Sequence, residues 1–126
     1  MDLLLDTHVF IWWAARDPKL SEAARSAIFD AENRVMVSAA SVWEISIKRA
    51  SGKLVFRHDI LQALANTGFE TLDITPRHAD RAGSLPFHHT DPFDRLLVAQ
   101  AQLEELVLVT QDNQLLSYAV PVLGVT

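Results

Sequence analysis

The chain has 126 residues, 49% of them hydrophobic and 21% charged, with four glycines, no cysteine and a formal charge of −5. That length suits one domain over residues 1–126, the composition excludes a disordered chain, and the missing cysteines exclude disulfides and thiolate-bound zinc. Eleven basic against sixteen acidic side chains exclude a generally basic nucleic-acid surface, so any such contact would run through a local patch or through metal ions.

In chain order, residues 3–5 (LLL) read as a buried strand that stops on Asp6. Asp2 and Asp6 stand where a secretory signal would be positive, and no apolar run approaches the ~20 residues of a membrane span. The reading is therefore a soluble, cytoplasmic protein with no membrane contact. A helix is expected over 8–15, where FIWWAA is apolar on too many sides for an ordinary amphipathic helix. Trp12 and Trp13 are neighbours and cannot both face one core, which makes one of them a candidate partner surface.

A helix over 21–31 leads to a strand over 35–37 and then to a helix over 39–50 that carries Glu44 and stops at Gly52. A helix over 58–65, a weaker strand over 69–74 and a helix over 76–84 precede the conspicuous loop LPFHHTDPFD, residues 85–94. Asp94 opens a helix over 92–103, a strand follows over 106–110, and Asp112 lies just beyond it. A last strand over 120–125 contains Pro121, which places it at a sheet edge. Strands and helices alternate, and the strands are continuously apolar, the pattern of a parallel sheet covered on both faces: an α/β fold in three layers, α/β/α.

Each acid has an ordinary explanation. Asp6 and Asp112 could be caps, Asp91-Pro92 reads as an N-cap with Pro at N1, and Asp94 would then sit at N3, where a carboxylate favours the helix dipole. Ser41 and Glu44 match a capping box, and Glu44 and Lys48 form an i, i+4 pair. A cap needs no companion, however, whereas strand ends and the helix starts after them share one edge of a parallel sheet, where open α/β folds bind ligands. Carboxylates gathered there would repel one another unless a cation intervened. With no cysteine and no histidine spacing, oxygen ligands favour a hard ion such as Mg²⁺ or Mn²⁺, which could activate water against a phosphodiester.

The segments LLDTHVFIWW, SAASVWEISIK, HTDPFDRLLVAQA and LVLVTQDNQL resemble, in that order, the motifs of PIN-domain ribonucleases, and within them the VapC-type toxins of bacterial toxin–antitoxin modules. The resemblance spans nearly the whole chain. It implies a PIN-like fold and a Mg²⁺- or Mn²⁺-dependent endoribonuclease whose acids are Asp6, Glu44, Asp94 and Asp112. Asp6 and Asp94 would be the principal metal ligands, Glu44 would join them or orient the attacking water, and Asp112 would act directly or through water. Thr110 would orient Asp112 or a metal-bound water. The implied partners are an RNA substrate, with transfer RNA suggested, a cognate antitoxin and a second copy of the chain. His8 stands where many PIN domains carry Asn or Ser.

Arg95 is a candidate either for phosphate contact or for holding Asp94. Lys48, Arg49, Lys53 and Arg57 form the densest basic stretch, a solvated face in the plain reading and the first candidate for RNA-backbone contact. His88 and His89, without a second pair at ligand spacing, are placed outside the site, and Asp91 is assigned to capping. The alternative function is a catalytically silent PIN-like module that only binds RNA or protein; the presence of all four acids favours the enzyme. A phosphatase with Asp6 as nucleophile would want a second Asp where the chain has His8.

Overall fold

The computed structural model describes residues 1–124, so residue 125 of the strand expected over 120–125 lies outside the described residues. Five strands form one sheet in the order β3-β2-β1-β4-β5, every neighbouring pair parallel. They are β1 (Asp2–Leu5), β2 (Arg34–Ser38), β3 (Glu70–Leu72), β4 (Val107–Val109) and β5 (Val122–Leu123). The helices are α1 (Thr7–Ala15), α2 (Glu22–Phe29), α3 (Ala39–Ala50), α4 (Ile60–Thr67), α5 (Pro76–Ser84) and α6 (Pro92–Glu104), with a 3₁₀ turn at Asn113–Ser117. The expected elements are present, several trimmed or shifted by one or two residues at their ends.

The central strand shows why its sequence is apolar without alternation. Leu3 and Leu5 face one layer, with Val9 and Phe10 of α1, Ala24 and Ile28 of α2, Ile45 of α3 and Leu64 of α4. Leu4 faces the other, with Leu97, Val98 and Ala101 of α6, Leu115 and Tyr118. All three leucines are fully buried, each stabilising the fold by about 1.5–3 kcal/mol. Both layers are therefore covered, as a parallel sheet requires.

Pro121 does mark an edge. β5 pairs only with β4, where its Pro121 and Leu123 carbonyls accept from Leu108 and Thr110 N–H, each at 2.9 Å. Gly124 follows at φ +107, and a Cβ there would lie 2.9 Å from the Thr110 carbonyl oxygen. Gly124→Ala is expected to cost about 1–3 kcal/mol through backbone strain and that clash, read as a lower midpoint of thermal unfolding.

Chain order is what brings the acids to one edge. β1 lies between β2 and β4, so the connections leaving β1 and β4 run to opposite sides, and a crevice opens where the order reverses. Asp6 ends β1 and Thr110 ends β4 on the two sides of that crevice, while β2 runs directly into α3 through Ser38. Among the described residues, no helix is long and apolar enough to cross a membrane.

Candidate functional site

Asp6 is the N-cap of α1, and it also lines the acidic cleft. Its backbone continues the ladder, its N–H donating to Val109 O at 3.0 Å, and the side chain then caps α1, Oδ1 accepting from Val9 N–H at 2.8 Å. Its other oxygen, Oδ2, accepts from the Thr110 hydroxyl at 2.5 Å, and the same hydroxyl accepts from Asp112 N–H at 3.1 Å. Thr110 thus contacts both acids, where the expectation was Asp112 or a metal-bound water. Asp112 Oδ1 caps the 3₁₀ turn through Gln114 N–H at 2.9 Å, and Oδ2 lies 3.4 Å from His89 Nε2.

Glu44 arrives by a different route from the expected capping box. α3 starts at Ala39, capped by Ser38, whose hydroxyl accepts from Ala40 N–H. Ser41 instead accepts a 3.0 Å hydrogen bond from the Thr7 hydroxyl, which pins α1 to α3 and sets Glu44, one turn on, into the crevice. Glu44 is 3% exposed; Oε2 pairs with Lys48, and Oε1 is buried with no hydrogen-bond partner. An orphaned carboxylate oxygen at that depth is costly unless something positive meets it.

Asp94 enters from α6. Asp91 caps that helix as expected, Oδ1 accepting from Phe93 and Asp94 N–H, and Pro92 takes the first position. Asp91 is more than a cap, however: its Oδ2 lies 3.8 Å from Lys48 Nζ and borders the same cleft. The cleft, about 330 Å³, is lined by Asp6, Glu44, Asp91, Asp94 and Asp112 with His8, Trp12, Lys48 and Gln111. Burial, then Asp91, Asp6 and Glu44, push the Asp94 carboxyl up to about 7, against the pull of His89. Burial raises Asp6 to about 6; the Thr110 and Val9 hydrogen bonds oppose it, and Glu44 and Asp112 add to it.

Several expectations need correction. His89, placed outside the site, stands inside it, with Nε2 2.8 Å from Asp94 Oδ2 and 3.4 Å from Asp112 Oδ2. His88 does stay out, edge-on against Tyr118 at 5.1 Å. Arg95 neither reaches phosphate nor holds Asp94: it is 7% exposed, and its guanidinium donates to the carbonyls of Ala82, Leu85 and Pro86 at 2.8–2.9 Å. Lys48 is not on a solvated flank but in the cleft, where partial burial lowers its pKa and the hydrogen bond and charge of Glu44 more than reverse that. Arg49 donates to the His58 carbonyl at 2.9 Å, while Lys53 and Arg57 are exposed.

The aromatic exposure expected at Trp12 or Trp13 falls elsewhere. Both are half-buried: Trp12 borders the acidic cleft beside His8, and Trp13 packs on Phe69, centroids 6.1 Å apart. Trp43 is the exposed tryptophan, at 55%, edge-on to Phe93.

Residues 3–121 match the family model described as PIN domain. The chain belongs to the PIN domain family. Ribonuclease VapC22 of Mycobacterium tuberculosis is 35% identical to this PIN domain over 122 residues, 94% of this chain and 93% of the relative. Two solved structures show the same fold. VapBC2 from Rickettsia felis, bound to a DNA fragment from its promoter, has a TM-score of 0.72 at 15% identity, covering 97% of each chain. A toxin–antitoxin complex from Klebsiella pneumoniae has a TM-score of 0.64 at 19% identity, covering 95% of this chain and 94% of that one.

Proposed function

We propose that this PIN domain, residues 1–126 acting as one unit, is a Mg²⁺- or Mn²⁺-dependent endoribonuclease and the toxin of a cytoplasmic toxin–antitoxin pair. The supporting observation is the convergence of Asp6, Glu44, Asp94 and Asp112 on one cleft, with a buried Glu44 oxygen that has no hydrogen-bond partner among the described residues. The donor set fits a divalent ion: carboxylate oxygens predominate, and two carboxyls are pushed up towards neutral pH by burial first and by neighbouring acids next. Asp6, Asp94 and Glu44 would hold the ion, with Asp112 reaching it directly or through water. When bound, it would lower the pKa of water and offset charge developing on the scissile phosphate.

The chain's own groups do the rest. Thr110 fixes the Asp6 carboxylate and the Asp112 backbone, and Gln114 N–H holds the Asp112 carboxylate, so these groups need little reorganisation on binding. Lys48 neutralises Glu44 in the absence of another cation, and its ammonium lies in the cleft where a phosphate would enter. Lys53 and Arg57 offer exposed charge to an RNA backbone. The names of the relatives, a ribonuclease and a toxin–antitoxin complex, support RNA as substrate and an antitoxin as partner; transfer RNA is the first candidate substrate. A second copy of the chain completes the proposed assembly.

Thr110→Val removes a buried donor to Asp6 and the acceptor of Asp112 N–H. It is expected to weaken metal binding about 10- to 100-fold, with Thr110→Ser close to wild type, as read by Mn²⁺ titration. The function itself is tested by incubating purified, antitoxin-free protein with total cellular RNA and Mg²⁺ or Mn²⁺, beside EDTA and Asp6→Asn controls. Discrete fragments lost in both controls support the nuclease. Intact RNA with a folded sample across several RNA pools favours the silent binding module.

A further inference from the structure

We propose that His89 is a positioning residue that holds Asp94 as a hydrogen-bond donor, with Asp112 at ion-pair distance, and does not itself ligate the metal. This inference rests on the metal-nuclease reading above. Position alone suggests the opposite, since one nitrogen of His89 and one oxygen each of Asp94 and Asp112 all lie within 4.8 Å of one another, a spacing that could hold an ion.

The second ring nitrogen decides between the two roles. Thr90 N–H donates to His89 Nδ1 at 3.1 Å, so Nδ1 presents its lone pair inward to its own loop. A neutral imidazole carries one N–H, which must then sit on Nε2. Nε2 therefore has a proton and no lone pair to offer a cation. That proton points at Asp94 Oδ2, 2.8 Å away, with Asp112 Oδ2 at 3.4 Å. Ligation through Nε2 would need the proton moved to Nδ1, against Thr90 N–H.

The loop is built to keep the ring there. His89 N–H donates to Tyr118 Oη at 3.0 Å, and the Tyr118 hydroxyl donates to the Pro86 carbonyl at 2.9 Å. Tyr118 is itself buried, anchored in the layer formed by α6 and the 3₁₀ turn. Asp94 comes from α6 and Asp112 from beyond β4, so one ring, hydrogen-bonded to the first and 3.4 Å from the second, lies between two separately supported acids. The metal set would then be all oxygen, as Mg²⁺ prefers.

The test uses Mn²⁺ as probe with purified wild type, His89→Ala and His89→Gln, each checked for an unchanged melting curve. Gln keeps an N–H donor at similar reach but lacks an imidazole. The expected results are a rise of about 10- to 100-fold in the Mn²⁺ dissociation constant for His89→Ala, recovery of most of that loss in His89→Gln, and no directly bound nitrogen in the electron spin echo modulation of the wild-type Mn²⁺ complex. A bound-imidazole coupling in wild type would make His89 a ligand and overturn the proposal. So would unchanged affinity in His89→Ala, or a Gln variant no better than Ala. If wild type binds no Mn²⁺ at all, the metal-nuclease reading fails first, a result distinct from each of these.

Discussion

Asp94→Asn is expected to abolish RNA cleavage and, at the same time, to stabilise the metal-free protein. Loss of a principal ligand should lower the cleavage rate on the order of 10³-fold or more. The stabilisation follows from burial and then from the neighbouring acids. Asp94 is raised from 3.8 to about 7 by burial and by Asp91, Asp6 and Glu44, which costs its ionised form at most about 4 kcal/mol. The side chain is 20% exposed and accepts from His89, so about 1–3 kcal/mol is the expected gain at pH 7.5. The sign runs one way: because the folded pKa lies above the unfolded one, the protonated acid's contribution is complete below pH 3.8 and is lost as pH rises through about 7. Metal-free wild type should therefore lose stability across that window more steeply than Asp94→Asn, as followed by urea unfolding at several pH values. Equal slopes would mean that burial and the neighbouring acids do not raise Asp94 as their placement requires. Site residues that oppose stability are what a binding site poised for a cation should contain.

The second large effect lies at Arg95. Its guanidinium donates to Ala82 O at the end of α5 and to Leu85 O and Pro86 O in the following loop, and one face covers the Phe87 ring, 4.7 Å from the centroid. The cation caps the negative end of α5 and ties it to the start of α6. Arg95→Met would orphan several carbonyls, at about 1–3 kcal/mol for each that stays buried, for a total expected loss of about 3–5 kcal/mol. In a chain of this size that lowers the midpoint of thermal unfolding by on the order of 10 °C. Arg95→Lys should rescue little, because an ammonium cannot reach carbonyls spread across a planar fork. Cleavage should fall as well, since the loop that Arg95 holds carries His89 and Asp91. A melting curve unchanged in Arg95→Met would show that the carbonyls find other donors.

What the sequence discloses about this molecule follows the range of the interactions involved. The strands were legible because both faces of the sheet are covered, which writes burial into consecutive residues such as Leu3, Leu4 and Leu5. Asp6 and Asp112 were legible because an acid at a strand exit is a local pattern, and Asp94 because it opens an apolar helix. His89 was not, because its place depends on Tyr118, 29 residues away, and on a tautomer set by Thr90 N–H. Arg95 was misread because a charge beside an acid suggests surface chemistry, whereas its partners are carbonyls that no sequence pattern reveals. The capping box at Ser41 failed for a similar reason: β2 runs straight into α3, so Ser38 takes the cap and Ser41 is released to bind Thr7. Trp43 shares a helix with Glu44 and turns outward because Glu44 turns in.

The most direct measurement is calorimetric titration of Mn²⁺ into the purified, antitoxin-free protein at pH 6 and pH 7.5, beside Asp6→Asn with an unchanged circular dichroism spectrum. Ligation at the converged carboxylates predicts binding to wild type that tightens at the higher pH, because protons held by Asp6 and Asp94 must leave, and little or no binding to the variant. No binding to wild type, or equal binding by the two proteins, would contradict a metal centre in the cleft.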